Sequence, residues 1–126
     1  HHGSPACLMA RQSRPVEFWL EQVLLSAHRL QDHLQGYSQE RFVADDIAID
    51  AASWCIACIG EACGKVLEVS PGFDADHPLL RIRQAYAARN RYVHGYFDLD
   101  ADQVWDTASR AVPELADGIR KFLDGR

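Results

Sequence analysis

The two side chains best suited to chemistry in this sequence are Arg89 and His94, which lie five residues apart in segment 89–96. Histidine titrates near neutral pH, so it can take a proton from a hydroxyl group or return one to a leaving oxygen. Arginine keeps its charge and presents a planar fork of donors that binds phosphate and stabilises extra negative charge on it. Breaking an RNA phosphodiester by attack of its own 2′-hydroxyl needs these functions, and it requires no metal ion.

Helical geometry limits what one copy of these residues can do. On a regular α-helix, residues five apart are rotated by about 140°, so Arg89 and His94 do not share a face. Asn90, four residues before His94, does share its face. Two arrangements would bring Arg89 and His94 together: local unwinding of the helix near Gly95, or a second copy of the motif supplied by a partner chain.

Arg89, His94 and Tyr96 form the pattern Arg-x4-His-x-Tyr, which resembles the signature of HepT toxins in the HEPN superfamily. A bare Arg-x4-His pair occurs by chance in many helices, but here the resemblance extends over roughly residues 14–123. The further matching segments are Gly60-Glu61-Ala62 in a long central helix, and Val104-Trp105 and Pro113-Glu114-Leu115 in the last helix.

The resemblance implies an activity and an assembly. It implies the toxin of a type VII-like toxin–antitoxin system, a metal-independent endoribonuclease that uses no cofactor and has RNA as its substrate. Arg89 would bind and stabilise the phosphate, His94 would act as general base or acid, and Asn90 would orient the substrate or His94. The assembly would be a two-fold homodimer in which the motif helices of two protomers meet.

The resemblance also implies a second partner and a switch. The partner is a nucleotidyltransferase antitoxin of the MntA type, which transfers AMP from ATP to the tyrosine of the His-x-Tyr unit, here Tyr96. AMP on Tyr96 would put phosphate beside Arg89 and His94. There it would occupy the site as a tethered substrate mimic and repel RNA.

Each of these residues also has a purely structural interpretation. His94 precedes Gly95 and is suited to the end of a helix, where its charge is favourable against the helix dipole. Arg89 would suit a surface ion pair, and Tyr96 a core position with its hydroxyl at the rim. The alternative function is a catalytically silent HEPN module that binds a nucleotide or a partner protein. Such a module would use Arg89 but would not need the proton chemistry of His94.

The charge distribution points to a local contact with nucleic acid. The net charge of −5 argues against a protein that coats polyanions through bulk electrostatics. Residues 77–97 nevertheless contain four arginines and no acidic residue. Three of them, Arg81, Arg83 and Arg91, are therefore candidate RNA contacts beside Arg89. The alternative is a solvated helix face whose arginines pair with carboxylates of neighbouring helices.

Helical periodicity runs along the whole chain and predicts an all-α fold, an up-and-down bundle of four to five helices. The last helix would begin with a capping box of Asp100 and Gln103 and bend at Pro113. The predicted elements are a helix from Pro15 to Gln35, a short helix or turn from Ser38 to Ala44, and helices from Asp45 to Val69, from Pro78 to Val93 or His94, and from Asp100 onward.

The helix from Asp45 to Val69 is apolar on most of its circumference, so it must be covered on several sides. Small residues beside Trp54 would permit close approach of a second subunit. Its cysteines, Cys55, Cys58 and Cys63, lie in mid-helix, where no helix N-terminus stabilises a thiolate, and no second ligand pair has zinc-site spacing. We therefore expect these cysteines to be packing residues and expect no metal site.

The N-terminal residues have the character of a tag, and the rest of the chain has the length of one domain. The start, His1-His2-Gly3-Ser4, has the character of an expression-tag remnant, and the sole methionine is Met9. We therefore expect residues 1–8, with Cys7, to be the remnant and residues 9–126 to be a single HEPN-type helical domain. No signal peptide or membrane span is expected, because Asp50 and Glu61 interrupt the longest apolar stretch. A cytoplasmic location is the default expectation.

Overall fold

The computed structural model describes residues 14–95 and 98–126 of the chain, and within these ranges it contains helices and no strand. The predicted all-α fold is confirmed, and the arrangement is a helical bundle of the HEPN type. The predicted tag remnant lies outside the described residues. The helices are α1 (Val16–Leu34), α2 (Gln39–Val43), α3 (Asp46–Val69), α4 (Phe73–Asp76), α5 (Ile82–Val93), α6 (Ala101–Asp106) and α7 (Val112–Asp124). A 3₁₀ turn spans Pro78–Leu80, and a π-helical turn spans Thr107–Ala111.

Helix α3 is the central element of the bundle. The helices α1 and α5 pack along it, and α2, α4 and α6 also contact it. Its buried side chains cover most of its circumference, as its composition predicts, while the apolar stripe predicted for α1 packs against it. The fully or almost fully buried residues of these two helices include Leu20, Val23, Leu30, Ala52, Cys55, Ile59, Cys63 and Val66.

Among the described helices, α3 alone is long and apolar enough to cross a membrane, and 61% of its most apolar window is buried inside the domain. The core helix of a globular protein has the same length and composition. These properties are therefore weak evidence for a membrane span.

Helix starts and ends follow the predicted caps in most places. The carboxylate of Asp45 accepts a hydrogen bond from the Ala48 N–H at 3.1 Å and caps α3. Gly36 follows the end of α1 with a φ of 82°, which glycine adopts at little cost. Asp100 caps α6 as predicted, but its carboxylate accepts from the Asp102 N–H at 2.9 Å rather than from that of Gln103.

The continuous helix predicted from Pro78 to Val93 or His94 is wrong at its start. The chain makes a 3₁₀ turn at Pro78–Leu80, passes through Arg81 in the left-handed region, and only then enters α5. The N–H of Arg83 in the first turn of α5 donates to the carboxylate of Asp74 at 3.1 Å. Asp74 belongs to α4, a short helix that the sequence pattern did not predict, so α5 is capped from a neighbouring element.

The irregularity predicted at Pro113 takes the form of the π-helical turn Thr107–Ala111, which joins α6 to α7 directly before this proline. Proline has no N–H for the backbone carbonyl four residues earlier, and its ring crowds that carbonyl. A wider turn at this point accommodates both effects. The segment from α6 to α7 therefore serves as the single last helix of the bundle.

Candidate active site

The candidate site is built where α3 and α5 cross at short range. Gly60 and Gly64 lie one helical turn apart on α3, and both face α5. A Cβ atom on Gly60 would lie 2.5 Å from the Arg89 Cβ atom, and one on Gly64 would lie 2.5 Å from the Tyr86 ring. At Gly60 only a residue without a side chain fits, because the Arg89 Cβ atom and the Ala85 carbonyl cannot move aside, whereas a larger residue at Gly64 would displace the Tyr86 ring. The crossing therefore fixes the backbone position from which Arg89 extends.

The guanidinium of Arg89 lies beside α3, and only part of its hydrogen-bonding capacity is satisfied there. Its Nη1 atom lies 3.3 Å from Oε1 of Glu61, and the group lies 5.6 Å from the centre of the Tyr86 ring. The Arg89 side chain is 24% exposed and that of Glu61 is 56% exposed. The Nε atom of Arg89 is buried and has no hydrogen-bond partner among the described residues. The unpaired Nε itself is not accessible to solvent, so an anion can reach Arg89 only through the exposed part of its guanidinium.

His94 lies at the exposed end of α5. Its backbone N–H donates to the Asn90 carbonyl at 2.8 Å, and both side chains are exposed to solvent. Within residues 14–95 and 98–126 the His94 ring has no hydrogen-bond or ion-pair partner. Its imidazole is therefore accessible for proton transfer with a bound substrate. Asn90 and His94 lie on the same face of α5, as their spacing predicts.

One protomer does not join Arg89 to His94 in a single pocket. Ile82 and Tyr92 are buried and share with Arg89 the stripe of α5 that faces α3, whereas His94 is exposed. The N–H groups of His94 and Gly95 still donate to the carbonyls four residues earlier. The helix is therefore not unwound between Arg89 and His94, and the first of the two predicted arrangements is absent from this chain.

Tyr96, the residue predicted to be AMPylated, lies outside the described residues. The described chain places Gly95 at the end of α5 and resumes at Asp98, whose N–H donates to the Gly95 carbonyl at 2.9 Å. This bond holds residues 95 and 98 close to each other.

The three other candidate arginines do not lie together. Arg83 lies at the start of α5 next to Asp74, with its Nε atom 4.0 Å from an Asp74 carboxylate oxygen. Arg81 and Arg91 line a groove on the other side of α5, towards α7. The structure therefore supports the carboxylate-paired alternative for Arg83, and it brings Arg81 and Arg91 onto one surface.

The cysteines of α3 are packing residues, as expected. Cys55 and Cys63 are buried and Cys58 is partly buried, and all three are free thiols. Burial raises the pKa of the Cys63 thiol to about 12, so it remains protonated and unreactive at neutral pH. In the described parts of the chain, no three His, Cys, Asp or Glu side chains cluster as a metal site would require.

The comparison with known protein families decides the assignment. The sequence profile of the family described as "Ribonuclease HepT-like" matches residues 23–122, which include the α3–α5 crossing and His94. The chain belongs to the HepT-like ribonuclease family. The resemblance inferred from the Arg-x4-His-x-Tyr pattern and the segments around it is thus confirmed at the level of the family.

Two curated relatives align with this HepT-like chain over most of its length and most of theirs. "Putative RNase TTE0752" of Caldanaerobacter subterraneus subsp. tengcongensis is 27% identical over 105 residues, which cover 83% of this chain and 91% of that protein. "Putative RNase MJ0125" of Methanocaldococcus jannaschii is 23% identical over 110 residues, which cover 87% and 92% respectively. No solved structure matches the chain significantly.

Two features of this HepT-like site were not predicted. An ion pair for Arg89 was expected as its structural role, but its partner Glu61 was not named, and Gly64 and Tyr86 were not singled out. The available signal was the spacing of Gly60 and Gly64 by four residues, which marks a helix face that another backbone can approach closely. Such a face opposite an arginine would have directed attention to Glu61.

Proposed function

We propose that this chain is a metal-independent endoribonuclease and the toxin of a two-component toxin–antitoxin system that acts in the cytoplasm. The observation that carries the proposal is the placement of Arg89 and His94 on α5. Arg89 is positioned by the α3–α5 crossing with its side chain 24% exposed, while His94 lies at the exposed end of the same helix. A phosphate-binding cation and an accessible proton acceptor are what transesterification of RNA needs.

The chemistry assigns one task to each residue. Neutral His94 accepts the proton of a ribose 2′-hydroxyl, and the oxygen attacks the adjacent phosphorus. The new P–O2′ bond forms as the P–O5′ bond breaks, and the departing 5′-oxygen takes a proton from water. Arg89 binds the phosphate and stabilises the extra negative charge of the phosphorane. Asn90 orients His94 or the substrate, and the products carry a 2′,3′-cyclic phosphate and a 5′-hydroxyl.

A second protomer completes the site in this proposal. Each site would combine Arg89 of one protomer with the partner subunit's His94, because α5 holds the two residues of one chain on different faces. The surface beside Glu61 supports such a dimer. Trp54 and Ile47 lie one and two heptads before Glu61 on α3, and they are 64% and 82% exposed. An exposed apolar stripe that leads to the ion pair of Arg89 suits contact with a second copy.

Neutralisation would run through Tyr96 and an MntA-like nucleotidyltransferase antitoxin. Family membership supports this step, and the arginines of α5 give it a physical reason. One or more AMP groups on Tyr96, two residues after His94, would add phosphate close to Arg89 and compete with RNA. Co-expression with the antitoxin should therefore raise the mass in steps of one AMP. Tyr96→Phe should stay folded but resist both modification and silencing.

The function is tested with purified chain and a single-stranded RNA in the presence of EDTA. We expect cleavage that leaves cyclic-phosphate ends, and no cleavage of the same oligonucleotide with 2′-O-methyl ribose. Arg89→Ala and His94→Ala should each abolish cleavage while the circular dichroism spectrum and Tm stay near those of the parent. A parent chain that binds RNA but never cleaves it would contradict the proposal and favour a silent binding module. Loss of cleavage in EDTA would contradict metal independence.

A further inference from the structure

A groove runs between α5 and the last helix, and α3 contributes to its floor. Its volume is 590 Å³. Its floor is apolar and includes Ile59, Leu80 and Leu115, and its rim carries Arg81, Gln84 and Arg91 from one wall. Leu79, which is 93% exposed, lies at one end. The groove therefore combines an apolar bed with cations along one edge.

The arginines of the groove differ in whether they form ion pairs within the chain. Arg110 on the opposite wall is bound to Asp106 at 2.8 Å and to Glu114 at 3.4 Å. Arg81 and Arg91 form no ion pair or side-chain hydrogen bond with any residue of the described ranges. Both are exposed, so their charge is available to a ligand. The two free cations lie on the α5 wall, ten residues apart, which corresponds to about 15 Å along a helix.

The backbone of Arg81 has an unfavourable conformation. Its φ of 54° and ψ of 40° lie in the left-handed region, and it is the sole non-glycine residue with positive φ in the described chain. Glycine or asparagine adopts this conformation at lower cost than arginine. A charged residue kept at a strained position next to a groove is typical of a functional contact.

Arg91, on the rim of the groove, is close to His94 around the axis of α5. Arg91 and His94 are three residues apart and are therefore rotated by only about 60°, whereas Arg91 lies about 160° from Arg89. The helix stays regular to His94, so this relation holds in the structure. His94 lies beyond Arg91 around α5, so a strand that leaves the groove past Arg91 turns about 60° further around the helix to reach His94.

We propose that this groove binds the single-stranded RNA that flanks the cleaved phosphate, with Arg81 and Arg91 each contacting one backbone phosphate. The inference rests on the proposed ribonuclease function and names the path of its substrate. Charge complementarity commits the groove to a polyanion, because its two unpaired rim charges are both positive although the chain as a whole carries −5. The apolar floor accepts the faces of the bases, which bind without sequence preference.

The test measures binding of a fluorescein-labelled, 2′-O-methyl single-stranded oligonucleotide, which cannot be cleaved through its 2′-oxygen. Arg81→Asn and Arg91→Gln should each weaken binding about tenfold, as expected for loss of one charged hydrogen bond. Each should also reduce the slope of log K against log salt by about 0.7. Arg81→Asn should keep or raise the Tm, because asparagine tolerates the left-handed backbone.

Two other arginines serve as controls for general charge effects. Arg120→Gln removes a charge paired with Asp117 on another face and should leave binding unchanged. Arg83→Gln, whose arginine lies beside Asp74 away from the groove, should change the affinity less than twofold. Equal losses for Arg83→Gln and Arg81→Asn would overturn the groove as the path of RNA.

The outcomes separate this inference from the ribonuclease function itself. A parent chain that cleaves RNA, together with groove variants that bind as tightly as the parent, would overturn the groove and leave the function intact. Variants that lose binding of the antitoxin but not of RNA would also overturn it, because the groove would then be a protein-docking surface. A parent chain that neither binds nor cleaves RNA would overturn both.

Discussion

Gly60 of α3 and Arg89 of α5 lie so close that a methyl group on Gly60 would come within 2.5 Å of the Arg89 Cβ atom. The same methyl group would lie 3.1 Å from the backbone carbonyl oxygen of Ala85. Neither neighbour is the end of a flexible side chain, so the helices themselves would have to move apart. The glycine therefore determines where the proposed phosphate-binding side chain begins.

Gly60→Ala is expected to weaken both stability and RNA cleavage. Alanine gains up to about 1 kcal/mol in helix propensity, but overpacking at this contact costs about 1–3 kcal/mol. We expect a net loss of about 1 kcal/mol in urea unfolding, and a loss of cleavage beyond what the unfolded fraction explains. Gly72→Ala is the matched control, because its Cβ atom would meet nothing nearer than 3.9 Å. Equal activity of the two variants would argue that the close crossing does not position Arg89.

Glu61 is expected to moderate the affinity of Arg89 for phosphate. Its carboxylate lies 3.3 Å from the guanidinium and competes with any anion for it. Glu61→Gln keeps the size of the side chain and removes the charge, so we expect the 2′-O-methyl oligonucleotide to bind about fivefold more tightly. Stability should change by less than about 1 kcal/mol, because the Glu61 side chain is 56% exposed and solvent screens the pair. Weaker binding would instead show that Glu61 is needed to hold Arg89 in its binding position.

The long helices could be predicted because their signals are local. The apolar stripe of α1 and the cap of α3 at Asp45 depend on residues within one or two turns of each other. The start of α5 could not be predicted, because its cap is the Asp74 carboxylate of another element. Nothing in the residue types around Arg81 indicates that its backbone is left-handed, since arginine rarely adopts that conformation.

The candidate site was predictable in its residue types and not in its surroundings. Arg89, Asn90 and His94 follow from chemistry, spacing and family resemblance, and the rotation between Arg89 and His94 follows from helix geometry. The ion pair of Arg89 with Glu61 could not be predicted from the sequence, because it depends on how closely α3 and α5 approach. The division of the other arginines between Asp74 and the groove likewise depends on tertiary packing.

The cap of α3 should make stability depend on pH. The Tyr37 hydroxyl donates to Asp45 at 2.6 Å, and this bond, with the backbone N–H of Ala48, lowers the pKa of Asp45. A lowered pKa in the folded state means stability that is present above about pH 4 and is lost as the pH falls through the folded value. Asp45→Asn keeps a capping side chain without this titration. The difference in unfolding free energy between parent and Asp45→Asn should therefore shrink below about pH 4.

The same hydrogen bond raises the pKa of Tyr37, so its contribution is present at neutral pH and lost as the pH rises through the folded-state value of the tyrosine. Tyr37→Phe should be less stable than the parent at pH 7, with the difference fading in strong alkali. Urea unfolding of the parent, Tyr37→Phe and Asp45→Asn over a range of pH measures both the acid-side and the alkaline-side loss of stability. A constant difference at all pH values would show that neither group titrates in the way this geometry implies.

The composite site is tested most directly by mixing two inactive variants, Arg89→Ala and His94→Ala, after denaturation and refolding together. Half of the dimers would then contain one chain of each kind, and each of these would have one intact site of two. We expect about a quarter of the parental cleavage rate to return in the mixture, while each variant alone stays inactive. A mixture that exchanges subunits, as shown by differently tagged chains, and still cleaves no RNA would contradict a site shared between Arg89 of one protomer and the partner subunit's His94.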